Sequence, residues 1–158
     1  WHLSALQPKR GTVAKAPYAG LANKALRWEP FAGVSPMAPA GFVSVYQKYS
    51  SGDGIAYLAS KFTVSEAGAW ELQVGHDGGV KVFVDGKSVL CQPKRVNPAV
   101  PDRSMAPIKL GKGAHEIVVA LDFDQRLILD DLQPGHAREF LREAREPGDR
   151  IEIEAPAA

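Results

Sequence analysis

Residues 55–90 read IAYLASKFTVSEAGAWELQVGHDGGVKVFVDGKSVL, and the three apolar-alternating runs within them decide the fold. Leu58, Phe62 and Val64, then Trp70, Leu72 and Val74, then Val80, Val82 and Val84 set large apolar side chains mostly two residues apart. Successive side chains of a strand point to opposite faces, so each run buries one face and shows the other to water. The connections agree. Glu66-Ala67-Gly68 and His76-Asp77-Gly78-Gly79 are short and rich in residues that tolerate positive φ. Asp85-Gly86, between Val84 and Lys87, is the strongest two-residue hairpin signal a sequence offers. The expectation is an all-β fold, an antiparallel β-sandwich.

Outward from this stretch, Pro8, Pro17, Pro30, Pro36 and Pro39 break any long regular element in residues 1–41, which read as an irregular lead-in. Within it Leu21 to Trp28 fits one short helix or strand, and Trp1 and Trp28 serve as anchors under the loops. Gly41 to Tyr46 reads as a strand. Gln92 to Pro107 carries four prolines together with Lys94, Arg95 and Arg103, and reads as a long surface excursion. Strands resume at Ile108–Leu110 and His115–Phe123; the latter has Ile117, Val119, Leu121 and Phe123 on one face and Val118 and Ala120 on the other, the mark of a central strand. Arg126–Leu132 is a further apolar run. Ala137, Phe140, Leu141 and Ala144 recur at helical spacing and predict one short C-terminal helix. Ile151–Ile153 alternates as a closing strand. The chain is read as a single domain: lead-in 1–41, core strands 42–123, and a C-terminal strand, helix and closing strand over 124–158.

Composition bounds the function. The 158 residues are 45% apolar and 23% charged, and a net charge of +1 gives no field that recruits nucleic acid or an acidic membrane. The charge is uneven: residues 1–28 hold five basic and no acidic residues, whereas residues 126–158 hold eight acidic and five basic, so the two ends read as complementary surfaces. Cys91 stands alone, which excludes an internal disulfide and a cysteine metal site, and reads as a small buried hydrophobe. No apolar run approaches the roughly 20 residues of a spanning helix. A start at Trp1 is expected of a processed chain or a piece of a longer protein, here one that is secreted or periplasmic. No catalytic residue is expected: His2, His76, His115 and His136 form no spaced metal motif, and no nucleophile elbow or phosphate loop is present. The acid pairs Asp122/Asp124 and Asp130/Asp131 read as solvated or capping groups.

The run Trp70-Glu-Leu-Gln-Val-Gly-His-Asp-Gly-Gly-Val-Lys-Val-Phe-Val-Asp-Gly-Lys87, a long loop, and Ile108-Lys-Leu-Gly-Lys-Gly-Ala-His-Glu-Ile-Val-Val119 resemble two related families. One is the galactose-binding-like jelly rolls attached to bacterial glycan-active enzymes. The other is the lectin domain first described in anthrax protective antigen. The resemblance covers about residues 55–121. It implies a non-catalytic carbohydrate-binding accessory module of a larger bacterial protein, with a glycan or polysaccharide and neighbouring domains as partners. Calcium-dependent members carry two adjacent aspartates ahead of the glycine, where this chain has His76 and Asp77. Calcium takes six to eight oxygen ligands, so no cofactor is expected here.

Antiparallel order puts Gly54 and Gly75 at the same end of the sheets. The expected ligand contacts are therefore the loop residues Tyr49, Asp53, His76 and Asp77, joined by Lys94 and Arg95 from the long excursion. In such a site a ring stacks on a sugar face while carboxylate, imidazole and cationic groups bond hydroxyls, and the two basic residues favour an acidic glycan. The alternative is a structural or protein-interaction domain within a multidomain enzyme, with no ligand of its own. An aromatic content of 8%, mostly at core-like positions, favours that alternative.

Overall fold

The computed structural model describes residues 1–32, 42–45, 48–49, 52–94, 100–124 and 138–142. Ten strands and one 3-10 turn follow in the order β1 (His2–Ser4), the 3-10 turn (Val13–Lys15), β2 (Trp28–Pro30), β3 (Phe42–Ser44), β4 (Asp53–Val64), β5 (Gly68–His76), β6 (Val80–Val84), β7 (Lys87–Gln92), β8 (Val100–Leu110), β9 (Gly113–Asp124) and β10 (Arg138–Arg142). They pair antiparallel throughout, in a six-stranded sheet ordered β2-β1-β4-β9-β6-β7 and a four-stranded sheet ordered β3-β10-β5-β8. This is the antiparallel sandwich that the alternation predicts.

The core lies between the sheets. From the larger sheet it takes Leu58, Phe62, Val82, Val119 and Phe123; Trp70, Leu72, Val74 and Ile108 come from the smaller. Trp70 is 8% exposed, in step with Leu72 and Val74 as their shared parity requires. The larger sheet is also covered on its other face, where Ile55, Tyr57, Ala59, Phe83, Val118 and Ala120 pack under Val13, Ala16 and Ala19 of the lead-in. Burial on both faces is what Val118 and Ala120 foretell for a central strand. Trp28 packs against this outer layer and Trp1 against the core. Residues 21–27 form turns, neither helix nor strand.

At the β6–β7 turn, Asp85 (φ 49°) and Gly86 (φ 79°) both take left-handed backbone, the pair of conformations that a tight hairpin of matching twist requires.

Three expectations are corrected. Residues 138–142 are a strand, not part of a helix: they fill the gap between β3 and β5, with Phe140 in register with both Phe42 and Gly75, and bond their backbone on both sides. Ladder bonds to two neighbours outweigh the helical spacing of a short run. The surface excursion is shorter than predicted, because residues 100–107 already belong to β8 and pair with β5. Strand β8 is the edge of its sheet, where the missing N–H of Pro101 and Pro107 is tolerated. Cys91 is exposed, on edge strand β7. The runs 126–132 and 151–153 lie outside the described residues.

Candidate functional site

One end of the sandwich collects the polar loops. Strand β4 begins there, β9 ends there with Asp53 in register with Asp124, and the β5–β6 connection turns there between His76 and Val80. Gly79 O accepts the Asp122 N–H at 2.8 Å, which docks the connection on β9. Gly78 has φ +88°, and a Cβ on it would lie 2.8 Å from Asp122 O, so neither the conformation nor the space admits a side chain. The carbonyl of Pro93 lies 3.0 Å from where a Cβ of Gly79 would sit, which brings Lys94 to the same end.

Of the residues predicted from sequence, Asp53 and Lys94 are exposed at this end and Asp77 is half-buried, each carboxylate already interacting with protein groups. Tyr49 lies in the core. It is 8% exposed, its ring meets Phe123 edge-on with centroids 5.4 Å apart, and its hydroxyl donates to Ser4 O. Burial pushes its phenol up to about 12. His76 is buried as well, at 1% exposure, with Nδ1 2.9 Å from Gly78 O and Nε2 2.9 Å from Ser104 Oγ. A neutral ring satisfies both contacts, donating at Nδ1 and accepting the serine hydroxyl at Nε2. Burial pushes this imidazole below its ordinary range; the Gly78 carbonyl pulls the other way, and the charge of Arg103 adds to the downward push. Arg95 lies outside the described residues.

Two residues of this end were not singled out as ligand contacts from the sequence. Lys9, from the lead-in, sets its Nζ 2.8 Å from Asp122 Oδ1 and 3.5 Å from Asp53 Oδ1. The Asp122 side chain is 4% exposed. Alternation offers a signal for Asp122, which shares its parity with the outward Val118 and Ala120; nothing local points to Lys9. Both ring nitrogens of His76 are engaged, so that residue has no free atom for an ion. No group of three or more His, Cys, Asp or Glu among the described residues is arranged to hold a metal, and no helix among them is long and apolar enough to cross a membrane.

A cleft of about 420 Å³ opens beside this end, between the lead-in and the outer face of the larger sheet. Its lining includes Arg10, Lys15 and Asn23 on one side and Ile55 and Tyr57 beneath. The Tyr57 hydroxyl donates to Pro17 O at 3.0 Å and so pins the lead-in over the sheet.

No protein-family model matches the chain, and no curated protein matches it. Among solved structures it is similar to a beta-glucosidase from Kluyveromyces marxianus, with a TM-score of 0.50 and 10% identity over 75% of this chain and 15% of that one. It is similar to the PA14 sugar-binding domain from an RTX adhesin, with a TM-score of 0.41 and 28% identity over 66% of this chain and 52% of that one. A family 35 carbohydrate binding module from an environmental isolate has a TM-score of 0.42 and 14% identity, over 80% of this chain and 85% of that one. The chain thus spans under two thirds of the glucosidase and of the adhesin chain. The likeness to the beta-glucosidase shows a shared fold.

Proposed function

We propose that the chain is a non-catalytic carbohydrate-binding module of a larger, secreted or periplasmic glycan-active protein. The observation that carries the reading is the convergence of Asp53, Asp77 and Lys94 at one end of a sandwich of the resembled type, around a loop held rigid by Gly78, His76 and Ser104. Rigid loops hold their polar groups ready, so little ordering cost is added when sugar hydroxyls bind. Carboxylates accept from hydroxyls, an ammonium donates to them, and the pair discriminates one hydroxyl pattern from another. His76 and Tyr49 support this surface from beneath and do not touch the sugar.

A second reading is favoured by one observation. The one aromatic ring predicted to stack at the site, Tyr49, is buried against Phe123, which leaves the loop end without that stacking platform. A protein-interaction domain needs no such platform.

A glycan-array screen of the isolated domain, with calcium and with chelator, separates the two. The carbohydrate reading expects hits that chelator leaves unchanged. An array with no hits, together with capture of a neighbouring domain of the parent protein, favours the interaction domain.

A further inference from the structure

The cleft under the lead-in is electrostatically one-sided. No Asp or Glu lines it, while Arg10 and Lys15 do, and the side chain of neither makes an ion pair or hydrogen bond among the described residues. Lys15 folds back over Gly11, its Nζ 3.8 Å from where a Cβ of that glycine would sit, and it lines the cleft together with Arg10. Asn23 accepts the Ala25 N–H at 3.0 Å through Oδ1, which leaves its amide nitrogen to donate. The carboxylates nearby are engaged: Glu116 accepts from the Tyr18 hydroxyl and the Leu21 N–H, and Asp122, cross-strand from the lining residue Ile55, is paired with Lys9. Two cations and no carboxylate therefore line the cleft, while Glu116, bonded to neutral donors, keeps its negative charge at the Tyr18 end. Its floor, Ile55 and Tyr57 with Leu26 at the side, is apolar. A volume of about 420 Å³ falls within the range of small-molecule sites, about 300–1,000 Å³.

We propose that this cleft is a second binding site, distinct from the loop end, and that it takes a sugar acid. The carboxylate lies between the planar fork of Arg10, which matches it bidentately, and the Lys15 ammonium. Asn23 donates to a ring or hydroxyl oxygen, and the apolar sugar face rests on Ile55 and Tyr57. A bare inorganic anion would leave that floor unfilled, and a neutral sugar would leave two cations unanswered. The anionic preference rests on the cleft alone; that the anion is a sugar rests on the carbohydrate-binding reading.

The test is a titration of the whole 158-residue domain, followed by amide chemical shifts, with D-glucuronate, D-glucose and inorganic phosphate as separate probes. The inference expects glucuronate to shift the amides of Thr12, Asn23 and Tyr57, and glucose to leave them in place. A double variant Arg10→Gln with Lys15→Gln should weaken glucuronate binding at least tenfold, whereas Lys109→Gln, exposed on edge strand β8 of the other sheet and outside the cleft, should not weaken it. Both substituted side chains are exposed, and unchanged shifts elsewhere verify that the variant folds. Phosphate binding as tightly as glucuronate overturns the inference in favour of a plain anion site. Glucuronate shifts confined to residues 53, 77 and 94 overturn it while leaving the carbohydrate reading intact, and so does a glucuronate titration that moves nothing while neutral glycans still bind the array.

Discussion

Asp85→Ala should cost about 2–3 kcal/mol of stability, because this side chain and its backbone both tie the β6–β7 turn to strand β9. Its N–H donates to Glu116 O at 2.9 Å, its Oδ1 accepts the Glu116 N–H at 2.9 Å, and its Oδ2 lies 2.7 Å from His115 Nδ1. Alanine keeps the first bond and loses the other two. It must also hold φ near 49° without the local polar bonding that lets Asp and Asn tolerate left-handed backbone. The unanswered Glu116 N–H and the strained φ each contribute about 1 kcal/mol. The His115 contact adds a fraction of that, since Asp85 is 48% exposed. Urea unfolding is the assay: the midpoint should fall with an unchanged slope. Asp85→Asn keeps both the acceptor and the left-handed tolerance, so it should cost less than about 1 kcal/mol. An alanine variant as stable as wild type, or an asparagine variant as damaged as alanine, refutes the reasoning.

The same pair sets a pH signature. Both nitrogens of His115 face acceptors, Asp85 Oδ2 and Gly111 O, so the imidazolium satisfies both. Burial pushes His115 down, but the Asp85 bond, the Gly111 carbonyl and the Asp85 charge outweigh it and hold the ring above its ordinary 6.5. Its contribution is complete below about pH 6.5 and is lost as pH rises through the folded value. Burial pushes Asp85 up, but the Glu116 N–H, His115 and Lys87 outweigh it and hold the carboxyl below its ordinary 3.8. That contribution is present above about pH 4 and is lost as pH falls. The stability difference between wild type and Asp85→Asn should therefore be widest between about pH 4 and 6.5 and narrow above it.

Trp70→Ala should destabilise by about 3–5 kcal/mol, whereas Trp70→Phe should cost far less, since the indole N–H has no partner among the described residues; a stable alanine variant would refute the packing. His76, neutral and buried, has its pKa lowered, so it supplies stability fully above about pH 6.5 that is lost as pH falls. Between pH 7.5 and 5 the wild-type denaturation midpoint should fall relative to that of His76→Asn, the opposite contribution of His115 being common to both proteins; a constant difference would remove His76 as the cause. Lys9→Met should cost about 2–3 kcal/mol by leaving Asp122 without this cation, short of a fully buried pair because Lys9 is 20% exposed. A calorimetric melting temperature matching wild type would contradict that pairing.

What the sequence made legible was what repeats along the chain. Leu58, Trp70, Val82 and Val119 announce their strands by period, and Asp85-Gly86 announces its turn by backbone chemistry. Residues 138–142 were misread because Phe140 and Leu141 fit a helical stripe, while the strand is decided by β3 and β5, which are remote in sequence. The candidate site was legible as a place and less so as a set of contacts. Gly54 and Gly75 follow from strand order, so Asp53 and Asp77 could be put at one end. His76 looked equally available, and it is buried by Ser104, 28 residues away. Tyr49 follows a broken strand, and its packing on Phe123 is a tertiary contact without a local pattern. Lys9 and the cleft belong to a proline-broken lead-in whose course over the sheet is set by tertiary packing and not by a local period.

The most direct test of the central claim is calorimetric titration of an array-selected glycan, in chelator, into wild type, Asp77→Ala and Lys94→Ala. The carbohydrate-binding reading predicts saturable binding by wild type and at least tenfold weaker binding by Asp77→Ala at unchanged stability, with a smaller loss for Lys94→Ala. Equal affinity for all three proteins would contradict it.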